Sequence, residues 1–145
     1  MSDEPLRAMF VSDALLDVVL RRIPFVDAAA HALLLGEKRM IEAFTTPLVL
    51  AAVFSTVARA RSTAAAHEAI NSLRLILGVL PVGPDETEAA FTAQARYPDW
   101  DAQLQYAAAA HNECEVLVTR NVTAYPTAPV RAVTPEEMLG LAGNR

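Results

Sequence analysis

Residues 116–139 read VLVTRNVTAYPTAPVRAVTPEEML, and the class of fold is set there. Glu115 to Thr119 (EVLVT) is a short valine-rich run of the length and composition of a buried strand. Val130 to Val133 is a second such run, and Thr134-Pro135-Glu136-Glu137 then opens a helix. Thr134 is a cap residue, Pro135 occupies the first helical position, where a missing N–H costs nothing, and Glu137 three residues on completes a capping box.

Working outward, the same alternation fills the rest of the chain. Asp99 to His111 reads as a helix, and Val79 to Val82 (VLPV) as a strand ahead of an acid-rich helix start, residues 84–88. Ser62 to Leu77 is a helix, and Leu48 to Ala60 behind Pro47 is a central one, apolar almost all round and so expected to be covered on several sides. Ile41 to Thr45 is a strand. Asp27 to Leu35 is a helix expected to stop near Gly36, a residue suited to a left-handed helix end. Leu6 to Val11 is a strand ending at Ser12, and from Ala14 the apolar positions Leu15, Leu16, Val19 and Leu20 recur at helical spacing. Short strands separated by helices predict an α/β fold, a three-layer α/β/α sandwich around a mainly parallel sheet of four to five strands. Ligands in such sheets sit beyond the carboxyl ends of the strands. With no repeat and no Gly/Ser-rich linker, residues 1–145 are expected to form one domain.

Composition narrows the function. Hydrophobic residues make up 53% and charged residues 20%, as in a packed globular protein. The longest uncharged run, Ala43 to Ala58, is shorter than the roughly 20 residues that cross a bilayer. The start MSDEPLRAMF lacks the order of a signal peptide and Cys114 has no disulfide partner, so no membrane association and a cytoplasmic location are expected. The formal net charge of -5 offers phosphate backbones no overall attraction, so any nucleic-acid site must be local.

Four segments carry a family resemblance: MFVSDALLDVVLRR with IPFVDAAA behind it, TTPLVLAAVF, DWDAQLQYAAAA, and the stretch quoted first. Together they resemble a PIN domain of the VapC-like toxin type, whose members are ribonucleases of bacterial toxin–antitoxin pairs. The resemblance implies carboxylates at the carboxyl ends of the strands, holding the Mg²⁺ or Mn²⁺ of an endoribonuclease. It places those acids on Val11, Ala52, Ala102 and Ala124, and all four are apolar here. It also implies as partners an antitoxin-like protein, RNA, and a second copy in a homodimer, with the apolar positions Leu15, Val19, Leu33 and Leu34 as contact candidates.

Acids do remain nearby. Asp13 follows Val11 by two residues, the same side of a strand if the strand continues, and Asp99 and Asp101 open a helix. These three are the candidate catalytic groups, with Asp13 and Asp101 the candidate metal ligands. Each equally suits a helix first turn, which acids stabilise by about 0.3–1 kcal/mol. Asp17 lies one turn before Arg21 and reads as an ordinary ion pair on a solvated face. Ser12, Thr46, Thr119, Arg120 and Asn121, at predicted strand ends, are candidate binding groups, which equally could order the turns. His31, His67 and His111 show no zinc-ligand spacing, and Cys114 between Glu113 and Glu115 is a poor nucleophile. Two readings follow: a catalytically impaired PIN protein that binds a protein or RNA, and a Mg²⁺- or Mn²⁺-dependent ribonuclease with a rearranged acidic site using Asp13, Asp99 and Asp101.

Overall fold

The structure, a computed structural model, describes residues 4–143. Its elements follow the predicted alternation: β1 (Leu6–Phe10), α1 (Ser12–Val19), α2 (Val26–Glu37), β2 (Ile41–Thr45), α3 (Pro47–Ala60), α4 (Thr63–Arg74), β3 (Gly78–Val79), α5 (Pro84–Ala93), α6 (Trp100–His111), β4 (Val116–Val118), a 3₁₀ turn (Val122–Ala124), β5 (Arg131–Val133) and α7 (Pro135–Gly143). Among the described residues the five strands form one sheet in the order β3-β2-β1-β4-β5, every neighbouring pair parallel. Met9 and Phe10 of β1 and Leu117 and Val118 of β4 are sealed in the core, as strands flanked by crossover helices require.

Local chemistry explains where the elements begin. The Thr134 hydroxyl accepts from the Glu137 amide at 3.2 Å while the Glu137 carboxylate accepts from the Thr134 amide at 3.1 Å, the reciprocal box expected for α7. Met138, on the same first turns, is fully buried. Thr134→Ala should therefore lower stability by about 1 kcal/mol, measured as a shift of the urea midpoint at unchanged slope. Tyr106, in the middle of α6, both accepts from the Val130 amide (3.1 Å) and donates to the Val130 carbonyl (3.3 Å), fixing the entry to β5.

Four expectations need correction. α2 stops near Gly36, at Glu37, but not through a left-handed glycine: the left-handed residue beyond it is Arg39 (φ 59°). Gly36 serves close packing, since a Cβ there would stand 2.8 Å from the Ala43 Cβ. The VLPV strand shortens to Gly78–Val79. α3 is not covered on several sides: Val49, Val53 and Val57 form its buried stripe, while Leu48, Ala51 and Ala52 are exposed. Leu15 is wholly buried in the core and so is no contact surface. No helix among the described residues is long and apolar enough to cross a membrane.

Candidate functional site

From β1 the chain steps one way to β2 and β3 and the other way to β4 and β5, so the order of connection reverses at the β1/β4 boundary. Helices diverge from the strand ends at such a switch point and leave a crevice. A pocket of about 150 Å³ lies there. Val11, Ser12 and Asp13 come to it from the end of β1, Thr119 and Asn121 from the end of β4, and Ala124 and Tyr125 from the 3₁₀ turn. Asp99, Asp101, Ala102 and Gln105 reach it from the start of α6, and Val49 from α3.

Asp13, Asp99 and Asp101 thus face one cavity, and each already has hydrogen-bonding work. The Asp13 carboxylate accepts from the Thr119 hydroxyl (2.8 Å), the Arg120 amide (2.9 Å) and the Ala14 amide (2.6 Å), lashing the start of α1 to the end of β4. Asp99 is the N-cap of α6 and accepts from the Ala102 amide at 3.1 Å. Asp101 accepts from the Gln105 side-chain amide at 3.2 Å. The Gln105 side-chain carbonyl accepts a hydrogen bond from the hydroxyl of Thr46, which itself caps α3 by accepting from the Val49 amide (3.2 Å). Thr46 is therefore buried in a relay and lines no part of the pocket. The Tyr125 phenol is pushed well above its usual range, first by burial and then by the negative field of Asp13, Asp99 and Asp101; a hydrogen bond with Thr119 opposes this.

The other walls are hydrocarbon. Val11 and Ala102 are each 5% exposed and Ala124 lies beside them. Ala52, in contrast, is exposed on α3, which lends the pocket Val49 in its place. Among the described residues no three His, Cys, Asp or Glu side chains group closely enough to hold a metal ion.

Asp17 overturns its sequence reading. It is 0% exposed and does not pair with Arg21; Arg120 binds it through two donors, Nε at 2.6 Å and Nη2 at 3.1 Å, with Arg22 at 3.8 Å. The Arg120 guanidinium is also stacked 3.9 Å from the Phe25 ring centroid. Arg120 thus turns away from the pocket and joins α1, the α1–α2 loop and the end of β4. Hydrogen bonding to Asp17 is the main cause of its raised pKa. Of the other candidates, Ser12 and Asn121 line the pocket, and Thr119 does so while donating to Asp13.

Sequence reasoning missed Gln105 and Tyr125. A buried glutamine in an alanine-rich helix was the available signal for the first, because an amide inside a core must find partners. Elsewhere, burial pushes the Cys114 thiol up to about 11, with Glu115 adding to the rise and Arg7 opposing it. His111 pairs with Glu86, which it holds below the usual carboxylate range.

The PIN domain family pattern matches residues 7–123. No curated protein matches the chain. A toxin–antitoxin complex from Klebsiella pneumoniae superposes with a TM-score of 0.67 at 19% identity, covering 88% of this chain and 97% of that one. VapBC2 of Rickettsia felis, solved bound to a DNA fragment from its promoter, gives 0.68 at 14% identity and the same coverages. The Mycobacterium tuberculosis VapC20 toxin, which cleaves the sarcin-ricin loop, gives 0.63 at 16% identity, covering 76% and 86%. With the pattern running from β1 into the 3₁₀ turn, over more than half of the chain, and the fold superposing on these structures, the chain belongs to the PIN domain family.

Proposed function

We propose that this protein is a binding module of a toxin–antitoxin type pairing in which the ribonuclease chemistry of VapC-like proteins is impaired. One observation carries the reading: Val11, Ala102 and Ala124 bring hydrocarbon to the strand-end pocket where the family resemblance expects carboxylates. Mg²⁺ and Mn²⁺ are hard cations that need several oxygen ligands at about 2.0–2.6 Å. The three acids that remain accept hydrogen bonds at the starts of α1 and α6, Asp13 through both of its oxygens, so few oxygen ligands are left to face an ion. This donor set fits a divalent ion poorly.

The partner in this reading is an antitoxin-like protein, because structural relatives from Klebsiella pneumoniae and Rickettsia felis are toxin–antitoxin assemblies. A groove of about 440 Å³ between α1, α2, α3 and α4 offers it the half-buried Val19 and Ile76 over a floor of Leu33, Val57 and Leu73. RNA and a second copy of the chain stand as further partners in the same reading.

A second reading, a Mg²⁺- or Mn²⁺-dependent endoribonuclease with a rearranged site, is favoured by the convergence of Asp13, Asp99 and Asp101 on one pocket. Calorimetric titration with Mn²⁺, paired with a fluorescent single-stranded RNA cleavage assay, separates the two. We expect no saturable binding below about 1 mM, the weak end of hard-cation sites, and no cleavage above background. Cleavage that needs Mn²⁺ and vanishes in Asp101→Asn would establish the second reading.

A further inference from the structure

Tyr125 lines a second cleft besides the acidic pocket. That cleft measures about 510 Å³, within the roughly 300–1,000 Å³ typical of small-molecule sites. Much of its lining is apolar or aromatic: Tyr97 ahead of α6, Tyr125 and Pro126 after the 3₁₀ turn, and Ala132 on the edge strand β5.

Thr123 and Thr127 contribute hydroxyls beside those of Tyr97 and Tyr125, and Arg131 is the one charged residue among the lining residues. Its guanidinium forms an exposed ion pair with Glu137, Nη2 standing 3.6 Å from Oε2 and beyond hydrogen-bonding range, a pairing weak enough for a ligand carboxylate to compete with. The other Glu137 oxygen is committed to the α7 cap. The aspartates of the strand-end pocket bear on the shared Tyr125, so Arg131 is the group on this lining that favours an anion. The acidic pocket has the opposite character, since every charged residue lining it is an aspartate.

Two ring-bearing walls with a guanidinium at the rim suit a flat, apolar body carrying one negative end. Aromatic faces favour an offset-stacked ring, and arginine's planar fork matches a carboxylate in two parallel hydrogen bonds. We propose that the cleft between Tyr97, Pro126 and Arg131 binds a small planar aromatic carboxylate. The site is independent of whether the strand-end pocket holds a metal or cleaves RNA.

The test is a titration of the ¹⁵N-labelled full chain with 2-naphthoate, followed by amide shifts, in parallel with its neutral amide and with 2-naphthylmethylammonium. Saturable shifts at Tyr97, Thr123, Thr127 and Ala132 are expected. The carboxylate should bind about tenfold tighter than the amide, the worth of one charge-assisted hydrogen-bonded contact. Arg131→Gln should erase that preference, and Thr127→Trp should block both ligands, with the remaining spectrum unchanged as the check on folding. No saturable shifts, an unchanged preference in Arg131→Gln, equal binding of the ammonium compound, or shifts centred on Asp13 and Asp99 would each overturn the assignment.

Discussion

Arg120→Ala is expected to lower the unfolding free energy by about 3–5 kcal/mol, the range measured when one partner of a buried ion pair is removed. The reason is what stays behind. Asp17 is sealed from solvent, its carboxylate receives two arginine donors from Arg120, and the next cation, Arg22, is 3.8 Å away. Without Arg120 a charge sits in the protein interior with one distant counter-ion. The stacking on Phe25 is lost as well. Asp17→Asn should be milder, about 1–3 kcal/mol, because the remaining arginine is partly exposed and can hydrate. The double variant Asp17→Leu with Arg120→Met should recover part of the loss, as paired apolar replacements of buried ion pairs do. Urea denaturation followed by circular dichroism measures all three, and a loss below about 1 kcal/mol for Arg120→Ala would show that the pair holds nothing together.

Restoring acids at Val11, Ala102 and Ala124 together should produce the largest functional change. Without metal the triple variant is expected to melt about 10 °C lower or more, since each carboxylate enters a poorly hydrated wall at a cost of roughly 1–3 kcal/mol, and three aspartates already face the cavity. Millimolar Mn²⁺ should recover most of that loss, because an ion bound only by the folded state stabilises it. RNA cleavage should rise by roughly 10²-fold or more, the order that one preorganised electrostatic stabiliser supplies. Thermal melts with and without Mn²⁺, alongside the RNA assay, decide the matter. A variant that folds yet gains neither metal stabilisation nor cleavage would count against the proposal that apolar residues at these three positions impair the pocket.

Much of the architecture was legible because it is written locally. The box of Thr134 and Glu137, the cap at Asp99 and the apolar runs of β1, β2 and β4 are signals contained within a few residues, and each appears where expected, whereas the run from Val79 to Val82 does not. The pocket's position followed from the alternation of strands and helices, and its apolar lining at Val11, Ala102 and Ala124 from the family resemblance. What could not be read depends on partners far along the chain. Asp17 and Arg21 satisfy the four-residue helical rule, yet the true partner of Asp17 is Arg120, brought in by the pairing of β1 with β4. Gly36 looked like a helix end because glycine has two uses, and only the approach of Ala43 distinguishes them. For α3, apolar residues on every side say nothing of which neighbours exist to cover them. Ala52, aligned with an expected ligand, lies on the side that faces water.

The central place of β1 has a consequence for biosynthesis. Its pairing with β2 joins Leu6 to Ile41, whereas its pairing with β4 joins Ala8 to Val116, across most of the chain. A polypeptide emerging from the ribosome can therefore assemble β1, β2 and the first helices early, but both pockets described above must wait until residues beyond β4 have been made. Contacts of such long range are slow to form. Until then the open flank of β1 is an unpaired strand edge, the kind of surface on which nascent chains meet chaperones or one another.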